Sequence, residues 1–143
     1  MPSPVCVDAS LAVKLVLPEE YADRARALWA EWDRQGVERF APALWGYEVA
    51  SVVRKYGHRG LLTSEEEDEA LRLLLGLPVQ LVDMSALHRS AWALAQELDM
   101  PVTYDAHYLL LAQILGAEFW TGDRRLYNQV QRKLDYVRWI GES

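Results

Sequence analysis

Three observations in the sequence predict an α/β sandwich on a mainly parallel sheet. Short apolar runs of β type alternate with longer stretches whose apolar residues recur at helical spacing. Glycines, prolines and capping residues punctuate the borders between them. No internal repeat, low-complexity stretch or long linker interrupts the series, so strands and helices alternate as in parallel crossover units.

Val5-Cys6-Val7 reads as a strand ending at Asp8, and a helix is expected from about Ser10 to Leu17, where Pro18 stops it. Ala22, Ala25, Leu28, Trp29 and Trp32 share helical spacing, and Gly36 ends that helix. Glu38 to Ala41 reads as a short strand, after which Pro42 is expected to open a helix running to about Tyr56 and closed by Gly57. Ser64 and Glu67 have capping-box spacing, and Glu65, Glu66 and Glu67 suit the positive end of a helix dipole. Leu71 to Leu75 carry that helix to Gly76, followed by a strand at Val79 to Val82 and a helix at Ala86 to Leu98. Pro101-Val102 is expected as a very short strand, and Thr103 as the cap of a long helix ending near Gly116. Glu118-Phe119-Trp120 is a strand, Thr121-Gly122-Asp123 leads into another helix, and Tyr136 to Trp139 forms a final edge strand.

The chain has 143 residues, 51% of them apolar, which suits one domain over residues 1–143 with one core. No apolar run approaches the ~20 residues of a membrane span. Met1-Pro2-Ser3-Pro4 lacks the pattern of a signal peptide. The single cysteine, Cys6, sits in an apolar run and reads as a small buried hydrophobe. A cytoplasmic protein is expected. The net charge of −6, from 15 basic and 21 acidic residues, argues against a broad basic face for nucleic acid. That objection weakens if four acids are metal ligands, because 15 basic side chains then face 17 acidic ones.

In a parallel sheet the carboxyl ends of the strands share one rim, where functional groups gather. Asp8 follows the first strand, Asp105 lies in the first turn after Pro101-Val102, and Asp123 follows Glu118-Phe119-Trp120, so the three can converge. Each alone also fits the structural role of a helix cap. Glu48 does not. It lies four residues from both Leu44 and Val52, on an apolar stripe with Trp45, Val49, Val53 and Tyr56. An isolated carboxylate there is costly unless Arg54, Arg89 or a divalent cation compensates it. Hard cations such as Mg²⁺ and Mn²⁺ take oxygen ligands, and the sequence offers no competing Cys/His constellation. Asp83 also follows a strand; with that strand at a sheet edge it lies far from the other acids, and it is assigned a capping role. His58, His88 and His107 lack a zinc spacing and are read as solvated or structural.

Four segments carry a family resemblance. They are Val5-Cys6-Val7-Asp8-Ala9-Ser10, the stretch from Pro42 to Val49 around Glu48, the stretch from Thr103 to Ala112 around Asp105, and Thr121-Gly122-Asp123. In this order and spacing the chain resembles the PIN domain, specifically the VapC-type toxins of bacterial toxin–antitoxin pairs, over nearly its whole length. The resemblance implies a three-layer sandwich, with helices on both sides of a central parallel sheet. It implies an Mg²⁺- or Mn²⁺-dependent endoribonuclease in which Asp8, Glu48, Asp105 and Asp123 are the catalytic metal-holding set and the Thr121 hydroxyl supports them. No acidic position is missing, so an active enzyme is expected. It also implies cleavage of RNA to a 5′-phosphate and a 3′-hydroxyl, a homodimer, and a small antitoxin as inhibitor.

Phosphodiester hydrolysis needs an activated water, neutralised phosphate charge and a stabilised leaving oxygen, and divalent cations supply all three. Ser10 is therefore no nucleophile; it is expected to hydrogen-bond within the cluster or to serve simply as a first-turn helix residue. Lys14, Arg124 and Arg125 are candidates to touch the RNA backbone, with a solvated surface role as the alternative for each. A receiver-like signalling domain needs paired acids after the first strand and a lysine after the last, but Ala9 follows Asp8 and Trp120-Thr121-Gly122-Asp123 holds no lysine. An aspartate-nucleophile phosphatase wants an acid where Ser10 stands. A non-catalytic acidic interaction module is the remaining rival, and it would be indifferent to EDTA. For protein partners, six Trp and seven Tyr are more than one small core needs, and Trp29, Trp32, Trp45 and Tyr47 are of the kind enriched where proteins meet. Core filling is the alternative for each.

Overall fold

Five short strands make one sheet: β1 (Val5–Val7), β2 (Arg39–Pro42), β3 (Gln80–Val82), β4 (Glu118–Thr121) and β5 (Val137–Trp139). The coordinates are a computed structural model describing residues 2–142; Met1 and Ser143, the ends of the expected domain, lie outside the described residues. The strand order is β3-β2-β1-β4-β5, and every neighbouring pair is parallel. The sheet is thus wholly parallel, where a mainly parallel one was expected. From β1 the chain builds outward through β2 to β3, then crosses to the other side of β1 for β4 and β5. This reversal makes the carboxyl ends of β1 and β4 a topological switch point, where open α/β sheets place their ligands.

Among the described residues seven helices accompany the sheet: α1 (Ala9–Ala12), α2 (Ala22–Gln35), α3 (Leu44–His58), α4 (Ser64–Leu75), α5 (His88–Glu97), α6 (Tyr104–Leu115) and α7 (Arg124–Val130). Side chains alternate across a strand, and β1 shows the consequence. Cys6 packs into a large core with Trp45, Val49, Tyr108, Leu109 and Phe119. Val5 and Val7 pack into a second core with Ala25, Trp29 and Trp32. Burial on both faces explains why β1 is an unbroken apolar run. Trp29, Trp32 and Trp45 are all buried, so core filling accounts for them; Tyr47 alone of that aromatic group is exposed.

Several expected boundaries move, each for a physical reason. The first helix begins at Ala9, is α-helical only to Ala12 and tightens into a 3-10 turn over Val13–Leu15. Pro42 does not open α3; it is the last residue of β2, paired with Val82, and Ala43 supplies the N–H to Val82 O at 2.9 Å. Gly57 does not close α3, which runs on to His58. Its missing side chain makes room for the Glu67 carboxylate, which bridges to Arg54 Nη1 at 2.7 Å. With Glu67 so engaged, the capping box shifts by one residue: Thr63 Oγ1 accepts from Glu66 N at 3.1 Å and Glu66 Oε1 from Thr63 N at 2.9 Å. The helix expected from Ala86 starts at His88. Pro101-Val102 is no strand but an exposed bend, because both sides of β1 are already occupied by β2 and β4. Thr103 holds the N-cap position of α6 without a side-chain cap; its carbonyl accepts from His107 Nδ1 at 2.6 Å.

Candidate active site

Asp8 is the N-cap of α1 and is buried where β1 ends. Its Oδ2 accepts from Thr121 Oγ1 at 2.7 Å, and its Oδ1 has a long contact of 3.5 Å with Ser10 N. Thr121, the last residue of β4, is fully buried, and its Oγ1 also accepts from Asp123 N at 2.9 Å. Ser10 Oγ lies 3.2 Å from Thr121 Oγ1 and accepts from Gly122 N at 2.9 Å. A hydroxyl has one proton. With Thr121 donating to the Asp8 carboxylate, Ser10 donates to Thr121, so the relay runs from Gly122 N through Ser10 and Thr121 to Asp8. The Ser10 hydroxyl is thereby engaged in hydrogen bonds to Thr121 and Gly122.

Glu48 comes from α3, and its compensation is neither of the arginines considered. Arg54 pairs with Glu67, and Arg89 is exposed. Instead Tyr108 Oη donates to Glu48 Oε1 at 2.6 Å. Tyr108 was missed in the sequence, although it lies three residues after Asp105 and so shares its side of α6. Asp105 itself is half-buried in the first turn of α6. It arrives from a helix packed on the sheet, not from the strand expected before it. Asp123 is exposed and caps α7, its Oδ1 accepting from Arg125 N at 2.9 Å and Leu126 N at 3.3 Å.

Electrostatics show that the four acids share one neighbourhood. Burial raises the Asp8 carboxyl above the ordinary range, its hydrogen bonds from Thr121 and Ser10 oppose this, and the Asp123 charge adds to it. Glu48 is pushed up to about 7 by burial, with the Asp8 and Asp105 charges adding and the Tyr108 hydrogen bond opposing. Asp105 is pushed up to about 6 by burial and by the charges of Asp8 and Asp123. Among the described residues no arginine, lysine or histidine forms an ion pair with any of the four.

The other candidates are placed less centrally. Lys14 is buried beside Gly122, and its Nζ donates to Glu20 O at 2.9 Å and lies 3.6 Å from Glu19 Oε1. Arg124 lies 5.4 Å over the Trp139 ring, and Arg125 is exposed. Asp83 is exposed just after the edge strand β3 and caps the next turn, its Oδ1 accepting from Ser85 N at 2.9 Å. His58 is exposed, whereas His88 and His107 form a pair, Nδ1 to Nε2 at 2.7 Å.

A family model described as the PIN domain matches residues 5–132. The chain belongs to the PIN-domain family. Its sequence is 34% identical to Ribonuclease VapC3 of Pyrobaculum aerophilum over 125 residues, covering 84% of this chain and 89% of that protein. The crystal structure of PAE2754 from the same organism shares the fold, with a TM-score of 0.70 at 20% identity, covering 99% of this chain and 93% of that one. The resemblance read from the four segments is borne out.

In this PIN domain the donor set fits a divalent cation by its chemistry: four carboxylates, all oxygen, with no ion pair to them among the described residues. They do not form a closed cage; among the described residues no group of three or more His, Cys, Asp or Glu side chains is arranged to hold a metal ion. Among the described residues no helix is long and apolar enough to cross a membrane.

Proposed function

We propose that this PIN domain is an Mg²⁺- or Mn²⁺-dependent endoribonuclease, the toxin of a toxin–antitoxin pair, contained in residues 1–143. The observation that carries the reading is the meeting, at the switch point of the sheet, of four carboxylates that no basic side chain neutralises. The likeness to a protein named as a ribonuclease supports RNA as substrate. Asp8, Glu48, Asp105 and Asp123 are the residues to hold the cation. When bound, it supplies water activation and charge neutralisation at the phosphate. Thr121 fixes the Asp8 carboxylate, Ser10 fixes Thr121, and Tyr108 fixes Glu48. A small antitoxin, laying an apolar segment across the first helices and a basic side chain towards the rim, would silence the site by charge competition. A homodimer in a cytoplasmic setting completes the proposal.

End-labelled RNA incubated with the purified chain and Mn²⁺ tests it. Cleavage is expected, is lost with EDTA, and is abolished by Asp105→Asn and Glu48→Gln. Cleavage that survives EDTA would remove the metal mechanism, and equal activity of Asp105→Asn would remove the site.

A further inference from the structure

Two clefts of about 440 and 350 Å³ share Leu44, Tyr47 and Tyr104, and the smaller includes Glu48 of the site. The smaller takes in Glu48, Ser51 and Lys55. The larger runs past Asp83 and Met84 to His88 and His107. Tyr47 and Tyr104 are 75% and 58% exposed, yet each directly precedes an acid of the site, Glu48 and Asp105. Successive residues on a helix point about 100° apart. Each ring therefore stands at a fixed offset from a carboxylate.

We propose that Tyr47 and Tyr104 form a stacking subsite for the base of a nucleotide flanking the scissile phosphate in single-stranded RNA. The proposal rests on the nuclease reading above. Four features favour it. First, volumes of this size are those of ligand sites. Second, unpaired bases are held by stacking on aromatic side chains and read by hydrogen bonds at their edges. Third, the wall of the larger cleft carries an oriented polar group. The Thr103 carbonyl can only accept, so His107 Nδ1 carries a proton and donates to it at 2.6 Å. In the neutral pair His107 Nε2 then accepts from His88 Nδ1 at 2.7 Å, leaving His88 Nε2 as an acceptor for a base N–H. Fourth, Lys55 lines the smaller cleft, where it can meet a neighbouring phosphate. The sequence reading looked for phosphate contacts at Lys14, Arg124 and Arg125, but neither cleft is lined by any of them.

The test is anisotropy of a fluorescein-labelled single-stranded octaribonucleotide titrated with the full chain in EDTA, beside cleavage assays in Mn²⁺. Tyr47→Ala and Tyr104→Ala are each expected to weaken binding about tenfold, the scale of one base–aromatic stack, and to raise KM more than they lower kcat. Tyr47→Phe and Tyr104→Phe keep the ring and should bind within about twofold of wild type. An abasic octamer should bind more weakly and be indifferent to the alanine variants. Wild type that binds the normal octamer no tighter than the abasic one overturns the proposal, as do alanine variants that bind like wild type. If light scattering shows that the alanine variants change the mass of the chain while RNA affinity holds, the face joins protein to protein and the proposal is likewise refuted. A wild-type protein that cleaves RNA alongside unaffected variants rejects the subsite alone; one that neither binds nor cleaves RNA rejects the nuclease reading too.

Discussion

At Thr121 one hydroxyl serves both halves of the site. It donates to Asp8 at 2.7 Å and accepts the backbone N–H of Asp123 at 2.9 Å, so it ties the end of β1 to the start of α7. Thr121→Val keeps the shape and removes both bonds, leaving a buried carboxylate and an N–H without a partner. A loss of about 1–3 kcal/mol in chemical denaturation is expected, with weaker Mn²⁺ binding; Thr121→Ser should recover most of both. Unchanged Mn²⁺ affinity in the valine variant would show that the hydroxyl does not position Asp8. Glu48 bears a second prediction. Its folded pKa of about 7 exceeds the ordinary 4.5, and that of Asp105, about 6, exceeds 3.8. The folded state therefore holds protons that the unfolded state releases, and these two groups lower stability as pH rises from about 4 to about 7. Thermal melts in EDTA should show Glu48→Gln gaining on wild type across that interval and melting at or above it at pH 7. A variant that loses ground as pH rises contradicts the sign.

Between elements, the closest approach in the site is α1 against the turn from β4 to α7. A Cβ at Gly122 would stand 2.6 Å from Ser10 O and 2.6 Å from Lys14 Cε. The lysine end can swing away, but the Ser10 backbone is held by α1. Gly122→Ala is expected to cost about 1–3 kcal/mol by overpacking and to part Asp8 from Thr121. Gly46, inside α3, is the control, because a Cβ there meets nothing within 4 Å. Gly46→Ala should be neutral or stabilise by up to about 1 kcal/mol. Equal melting temperatures for the two variants would mean that the α1 contact is slack. The same scale explains the misplaced borders. Pro42 and Gly57 carry strong local signals for a helix start and stop, but one serves a strand pairing and the other a close approach to Glu67.

For the whole molecule, the four acids come from the start of α1, the middle of α3, the first turn of α6 and the cap of α7. A cation among them binds only the folded chain, so it should stabilise every element together. At a hundredfold excess over Kd the gain is about 2.7 kcal/mol, enough to raise the melting temperature by several degrees. Calorimetry with and without Mn²⁺ is expected to show that rise in wild type and to lose it in Asp8→Asn. An equal rise in both would place the cation elsewhere.

From the sequence alone followed the alternation of strands and helices, the parallel class of sheet and the four acids. These are local properties: periodicity shows which face is buried, and Glu48 stands out because a carboxylate on an apolar stripe conflicts with its neighbours. Asp83 could be told from Asp8 only by assuming its strand lay at an edge. The tertiary structure decided what depends on pairs distant in the chain. It put β4 beside β1, which brings Thr121 to Asp8, and it gave Glu48 a tyrosine as hydrogen-bond donor in place of an arginine. It also turned Lys14 towards Glu19 and Glu20, and it buried three tryptophans while leaving Tyr47 and Tyr104 exposed at the rim. Spacing along a helix restricts which side chains share a face, but the partner that face meets is chosen by the packing of the whole sheet.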